Sequence, residues 1–184
     1  DHPFRQGETL SYALHYKWGV INADVAQMSF TLQQAQESCG PCYSIDMRGN
    51  TSKFFDKFFK MRYVYQSKFT VDDISPVWHH RESYEGNYWV KNTYDWKDSG
   101  RSLHAVVSKS TRPDRDTIIT SGTSQISDIV SLVYKIRSSD IEKAIAGTPL
   151  HFVTAVDVNV YDVTFRYVGK EKRKSSELGT FSTC

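Results

Sequence analysis

Period-two alternation constrains this chain more than any other feature. In the stretch LSYALHYKW, Leu10, Tyr12, Leu14, Tyr16 and Trp18 alternate with Ser11, Ala13, His15 and Lys17. This is the pattern of a strand with one apolar face. Gly19 is expected to end it. Met28, Phe30 and Leu32 continue the pattern in a second strand, Tyr43, Ile45 and Met47 in a third, and Phe59, Met61, Tyr63, Tyr65 and Phe69 in another. Leu103 to Val107, Leu150 to Val158 and Val160 to Val168 follow the same rule.

Two stretches depart from it. In NTSKFFDKFF, Phe54 with Phe58 and Phe55 with Phe59 are four apart, which suits a short helix near 52–59 capped by Asn50 or Ser52. In TSQISDIVSLVYKIRSSD, Ile126, Ile129, Val130, Val133 and Ile136 recur at three and four. Asp128 lies near the amino end and Lys135 and Arg137 near the other, as the helix dipole prefers. The spacing predicts a helix over 124–138.

A chain of 184 residues, 39% hydrophobic and 24% charged, fits one domain over 1–184 that buries roughly 70% of the surface its unfolded form exposes. No low-complexity linker or repeat divides it, and KSTRPDRDT reads as an exposed polar loop. A net charge of +2, with both signs spread along the chain, lacks the footprint of a nucleic-acid binder. The densest basic run, Lys170, Lys172, Arg173 and Lys174, is broken by Glu171 and reads as a solvated hairpin. No apolar run reaches the roughly 18 residues that span a bilayer. The opening DHPFRQGETL, without Met, suggests a processed or trimmed start.

Of the three cysteines, Cys184 is left over, while Cys39 and Cys42 spell CGPC, the letters thioredoxin-type oxidoreductases carry. Redox chemistry needs the first Cys at a helix amino terminus, where the dipole stabilises the thiolate. Here Tyr43, Ile45 and Met47 alternate as a strand, and the polar QQAQES precedes the motif. Gly-Pro between strands is a turn signal, so Cys39 to Cys42 is expected at a hairpin tip. A candidate disulfide across so small a loop adds only about 1.9 kcal/mol.

The hairpin PVWHHRESYEGNYWVKNTYDW is the most informative stretch for a site. Gly86-Asn87 suits a two-residue type II′ turn. That register sets Glu85 opposite Tyr88, Tyr84 opposite Trp89, Glu82 opposite Lys91, His80 opposite Thr93 and His79 opposite Tyr94. One face, with Trp78, His80, Glu82, Tyr84, Trp89 and Lys91, is mixed and wet. The other carries His79, Arg81, Tyr88, Asn92, Tyr94 and Trp96, with Val77 and Val90. Buried polar groups need partners, so His79, Arg81 and Asn92 either bond internally or line a cleft that a ligand or water enters.

Other chemistry is weakly signalled. His79 and His80 point to opposite sides of a strand and do not suit one metal. No G-x-S-x-G elbow or phosphate-cradling Gly loop occurs, and Asp72-Asp73 falls in a turn before Pro76. No cofactor is expected and no enzymatic activity.

The segments GETLSYALHYKWGVINADVAQMSF, SPVWHHRESYEGNY, DIVSLVYKIR and YDVTFRYVGKEKRKSSELGTF together resemble the exported bacterial family called domain of unknown function 3108 (DUF3108). The likeness covers nearly all of the chain. It implies an exported, envelope-associated β protein of Gram-negative bacteria, periplasmic or outer-membrane associated, and carries no biochemical role. Many members have a Gly where this chain reads Ala23, Asp24 and Val25. Members also continue with further strands after GTF, so the last sheet edge is expected to be incomplete.

The fold expected is all-β and mainly antiparallel, a rolled sheet or partly open barrel with the 124–138 helix over an end or a face. Such a sheet encloses ligands between aromatic residues, so the leading function is non-enzymatic binding of a lipid- or glycan-like ligand. The alternative is a structural or protein-interaction domain, with an envelope protein as partner. Third is thiol-disulfide exchange through Cys39 and Cys42.

Overall fold

The alternation is realised as strands that each pair antiparallel with their neighbour in sequence. The computed structural model describes residues 2–18, 21–122, 124–140, 145, 147–175 and 179–183. Strands β1 (Thr9–Trp18), β2 (Ile21–Glu37), β3 (Gly40–Thr51), β4 (Met61–Thr70), β5 (Pro76–Glu85), β6 (Tyr88–Lys97), β7 (Ser102–Lys109) and β8 (Arg112–Thr120) form one eight-stranded sheet in that order. Strands β1 and β8 are its edges, so the sheet is open and does not close into a barrel. After it come β9 (Ile126–Ser127), helix α1 (Ile129–Arg137), β10 (Leu150–Val156) and β11 (Asn159–Phe165). The order β11-β10-β9 makes a second, small sheet, with β9 and β10 parallel. The basic run forms the hairpin of β12 (Glu171–Ser175) and β13 (Gly179–Thr183), as expected. Gly19 and Cys184 lie outside the described residues.

The aromatic hairpin adopts the register read from its turn. Glu82 pairs with Lys91, His79 with Tyr94 and Glu85 with Tyr88, and Lys91 Nζ lies 3.5 Å from Glu82 Oε1. Gly86 has φ +60° while Asn87 stays negative, as a type II′ turn requires.

Four expectations are corrected. The 124–138 helix begins only at Ile129, because the Asp128 carboxylate accepts the Val130 and Ser131 N–H groups at 2.9 Å each and caps it there. Ile126, which fits the helical spacing, pairs instead with Val153 of β10. The 52–59 helix is a single 3₁₀ turn, Phe55–Lys57, with no side-chain cap. Asn50 and Thr51 still belong to the β3 ladder, so Asn50 does not serve as the cap. KSTRPDRDT is not a loop: it closes the β7–β8 hairpin, with Lys109 opposite Arg112. Its Pro113 is tolerated because β8 is an edge strand, and its polarity follows from exposure there. The tip at the CGPC motif turns at Ser38-Cys39, so Gly40 and Pro41 already belong to β3.

The inner face of the large sheet is covered in two places. Val130 and Tyr134 of α1 pack with Phe4, Leu32, Ile45 and Phe69. Ile126 of β9 and Ala155 of β10 pack with Val90, Trp96, Leu103 and Val107 of β6 and β7. Between these two apolar clusters, the central strands β4 to β6 present polar residues inward.

Candidate functional site

Cross-strand register places Leu32, Ile45, Ser67, His79, Tyr94 and Ala105 in one row across the inner face. Its ends are apolar and its middle is polar. Ser67 Oγ donates to Asp128 Oδ1 at 2.7 Å and lies 2.8 Å from His79 Nδ1, while that nitrogen is 3.3 Å from Asp128 Oδ1. All three residues are buried. Burial would push the Asp128 carboxyl up, but the His79 charge, the His79 hydrogen bond and those from Ser131 outweigh it and hold the group below its ordinary value.

This is a serine, a histidine and an aspartate in contact, yet not a nucleophilic triad. The Ser67 proton points to the carboxylate and not to the imidazole, and a single nitrogen of His79 serves both neighbours. A triad needs the two imidazole nitrogens on opposite partners and a hydroxyl open to substrate. Ser67 is fully buried. The cluster instead ties the capped start of α1 to the centre of the sheet.

Beside it lies a cavity of about 160 Å³ lined by Tyr65, His79, Arg81, Asn92, Tyr94 and Ile129, with Ala155 and Val156. His79, Arg81, Asn92 and Tyr94, expected on one face from sequence, are brought together here. Asn92 Nδ2 donates to the Tyr94 hydroxyl at 3.2 Å, but its Oδ1 has no partner; nor does Arg81 Nε. Arg81 otherwise reaches Asp157 at 3.4 Å and Ser83 at 3.2 Å, and stacks over the Tyr65 ring. Lys109 also pairs with Asp157, whose backbone carbonyl accepts the Tyr94 hydroxyl at 2.7 Å. Asp157 adopts φ +57°, unusual for a residue with a side chain, and so stores strain at the cavity edge. Internal satisfaction therefore holds for most but not all of the polar atoms.

The other two expected residues are elsewhere. Tyr88 is exposed beside the hairpin turn. Trp96 is core: it packs with the β6–β7 cluster and its Nε1 donates to the Ile126 carbonyl at 2.7 Å.

Sequence reasoning missed a second cleft. A groove of about 390 Å³ runs between β1, β2 and α1, lined by Leu10, Tyr12, Leu14, Met28, Phe30 and Val133, with Ala13, Tyr134 and Arg137. Tyr12 and Leu14 are about half exposed, since α1 does not reach over the edge strand. The alternation of β1 was the available signal, but alternation does not say whether a face is covered. The buried Tyr134 hydroxyl has no partner, and burial pushes it up to about 12. Arg137 is held by Glu8 through two bonds of 2.6 and 2.9 Å.

Cys39 is exposed in the hairpin turn and Cys42 is buried, their sulfurs 3.8 Å apart as thiols. Burial, then the neighbouring Cys39, pushes the Cys42 thiol up to about 12. No described helix begins at Cys39, so the helix amino terminus that exchange chemistry uses to stabilise a thiolate is not found at this motif. His80 turns to the outer face, onto Thr93 and Glu82, away from His79. Among the described residues no cluster of three or more His, Cys, Asp or Glu is arranged to hold a metal. No described helix is long and apolar enough to cross a membrane.

The model of the family described as "Protein of unknown function (DUF3108)" matches residues 11–184. No curated protein and no solved structure matches the chain.

Proposed function

The chain belongs to the DUF3108 family, and we propose that it is a non-enzymatic binding protein of the cell envelope that holds a lipid-like ligand in the groove between β1, β2 and α1. The observation that carries this reading is the groove itself, walled by Leu10, Leu14, Met28, Phe30 and Val133 with Tyr12 half exposed and Arg137 as its charged residue. Small-molecule sites of roughly 300–1,000 Å³ combine apolar walls with a few polar anchors. The groove's about 390 Å³ falls in that range. An acyl chain lies along Leu10, Leu14, Met28 and Phe30, beside the half-exposed Tyr12 ring. Export rests on the likeness of the chain's segments to exported members of the family.

A second, glycan-like reading is favoured by the cavity at His79. Its rings, with Arg81 Nε and Asn92 Oδ1 unpartnered, suit one small polar group. The cavity is also roomy enough for water to fill it.

Native mass spectrometry of protein purified without detergent from its own cells tests the proposal. A retained lipid mass that disappears in Val133→Glu, with the melting temperature unchanged, is the expected result. Protein recovered free of lipid, and unable to take up a fluorescent fatty-acid probe, would end the lipid reading. A retained sugar lost in Arg81→Ala would move the site to the smaller cavity.

A further inference from the structure

In a meander, alternate turns fall at the same end of the sheet. The segments joining β1 to β2, β3 to β4, β5 to β6 and β7 to β8 therefore share one end. The β3–β4 segment, residues 52–60, carries the sequence SKFFDKFFK. Phe54, Phe58 and Phe59 are 60%, 74% and 52% exposed. These rings are not a loose tail. Phe54 lies 5.3 Å from Phe55 and 5.6 Å from Phe58, and Phe59 packs under the Gly86 turn.

A polar clamp fixes the segment at its base. Thr51 Oγ1 donates to Asp56 at 2.5 Å, and Arg62 Nη1 donates to the same oxygen at 2.9 Å. The Arg62 and then the Thr51 hydrogen bonds hold the Asp56 carboxyl down at about 2. Its charge is thus matched by Arg62. Lys53, Lys57 and Lys60 are exposed and have no ion-pair partner among the described residues. Three exposed aromatic rings and three exposed lysines outside any described ion pair thus share one short turn held at its base by Asp56.

Exposed apolar clusters mark contact surfaces. Aromatic residues interleaved with Lys are the chemistry of the bilayer interface, where rings enter the acyl–headgroup boundary and ammonium groups meet anionic phosphates. A purely apolar partner groove would leave the lysines unanswered. We infer that residues 52–60 form a membrane-docking tip, with Phe54, Phe58 and Phe59 inserted into an anionic bilayer and Lys53, Lys57 and Lys60 on its lipid phosphates. This does not depend on the groove holding a lipid.

Co-sedimentation of the full chain with vesicles tests it. The protein should partition onto phosphatidylglycerol–phosphatidylethanolamine vesicles, more weakly as salt rises. Loss of each ring should lower partition by about tenfold, so Phe54→Ser/Phe58→Ser/Phe59→Ser should abolish it. Loss of each lysine to Ala should lower it about fivefold on these vesicles and leave binding to phosphatidylcholine unchanged. Val133→Glu, which alters only the groove, should bind as wild type. The inference is overturned if the wild type does not partition onto the anionic vesicles. It is equally overturned if the triple Ser variant, with a native melting curve, binds undiminished, or if Val133→Glu removes binding.

Discussion

Ser67 Oγ donates to Asp128 Oδ1 across 2.7 Å, joining the middle of β4 to the cap of α1. Removing the carboxylate strips a helix cap and leaves buried Ser67 and His79 without their acceptor. Asp128→Ala is therefore expected to cost about 3–5 kcal/mol, measured by urea unfolding. A loss under about 1 kcal/mol would show that the cluster does not anchor the helix.

The same carboxylate sets an acid limit. Its folded pKa lies below the ordinary 3.8, so its contribution is complete above that unfolded value and is lost as pH falls through the folded one. Asp128→Asn should flatten the decline of stability below about pH 4. Parallel acid titrations of wild type and variant would contradict this.

Trp96 packs in the β6–β7 core and bonds to the Ile126 carbonyl. Trp96→Ala should cost about 3–5 kcal/mol while leaving ligand retention by the folded fraction unchanged. A stable variant with lost retention would return Trp96 to the binding surface.

Cys39 and Cys42 should differ sharply in reactivity. In a Cys184→Ser background, iodoacetamide at neutral pH should alkylate exposed Cys39 and spare Cys42, whose thiol is buried and pushed up to about 12. Peptide mapping showing equal labelling of the two would contradict the geometry. Replacing Cys39 by Ser and Cys42 by Ala should lower the melting temperature by less than about 10 °C.

Gly86 takes φ +60°, so Gly86→Ala should destabilise by about 1–2 kcal/mol. Gly86→Asn, which tolerates that region better, should cost less. Equal losses in the two variants would argue against the turn.

The hairpin at Gly86-Asn87 was legible because a two-residue turn fixes every pair beyond it, His79 with Tyr94 included. Period two likewise revealed β1 to β7. Strand β8 was not legible, since residues 112–116 are exposed and largely polar and only Ile119 near its end packs on the core. The start of α1 was misread because Ile126 is apolar for a sheet contact that happens to fit helical spacing. Asp128 looked like a dipole residue, and its partners Ser67 and His79, distant in sequence, only a tertiary structure brings to it. His79, Arg81, Asn92 and Tyr94 share a strand face and could be grouped in advance, whereas the groove beside β1 depends on where α1 stops.

Strands β1 to β8 each pair with the next in sequence, and β9, α1 and β10 pack back across the inner face of the sheet. Each ladder of the sheet joins strands linked by a short connection, and such hairpins form early because little loop entropy opposes their closure. The sheet can zip hairpin by hairpin before its inner face is sealed. If the Ser67–Asp128 link closes only after the sheet has zipped, weakening it should chiefly hasten unfolding and leave the refolding rate nearly unchanged.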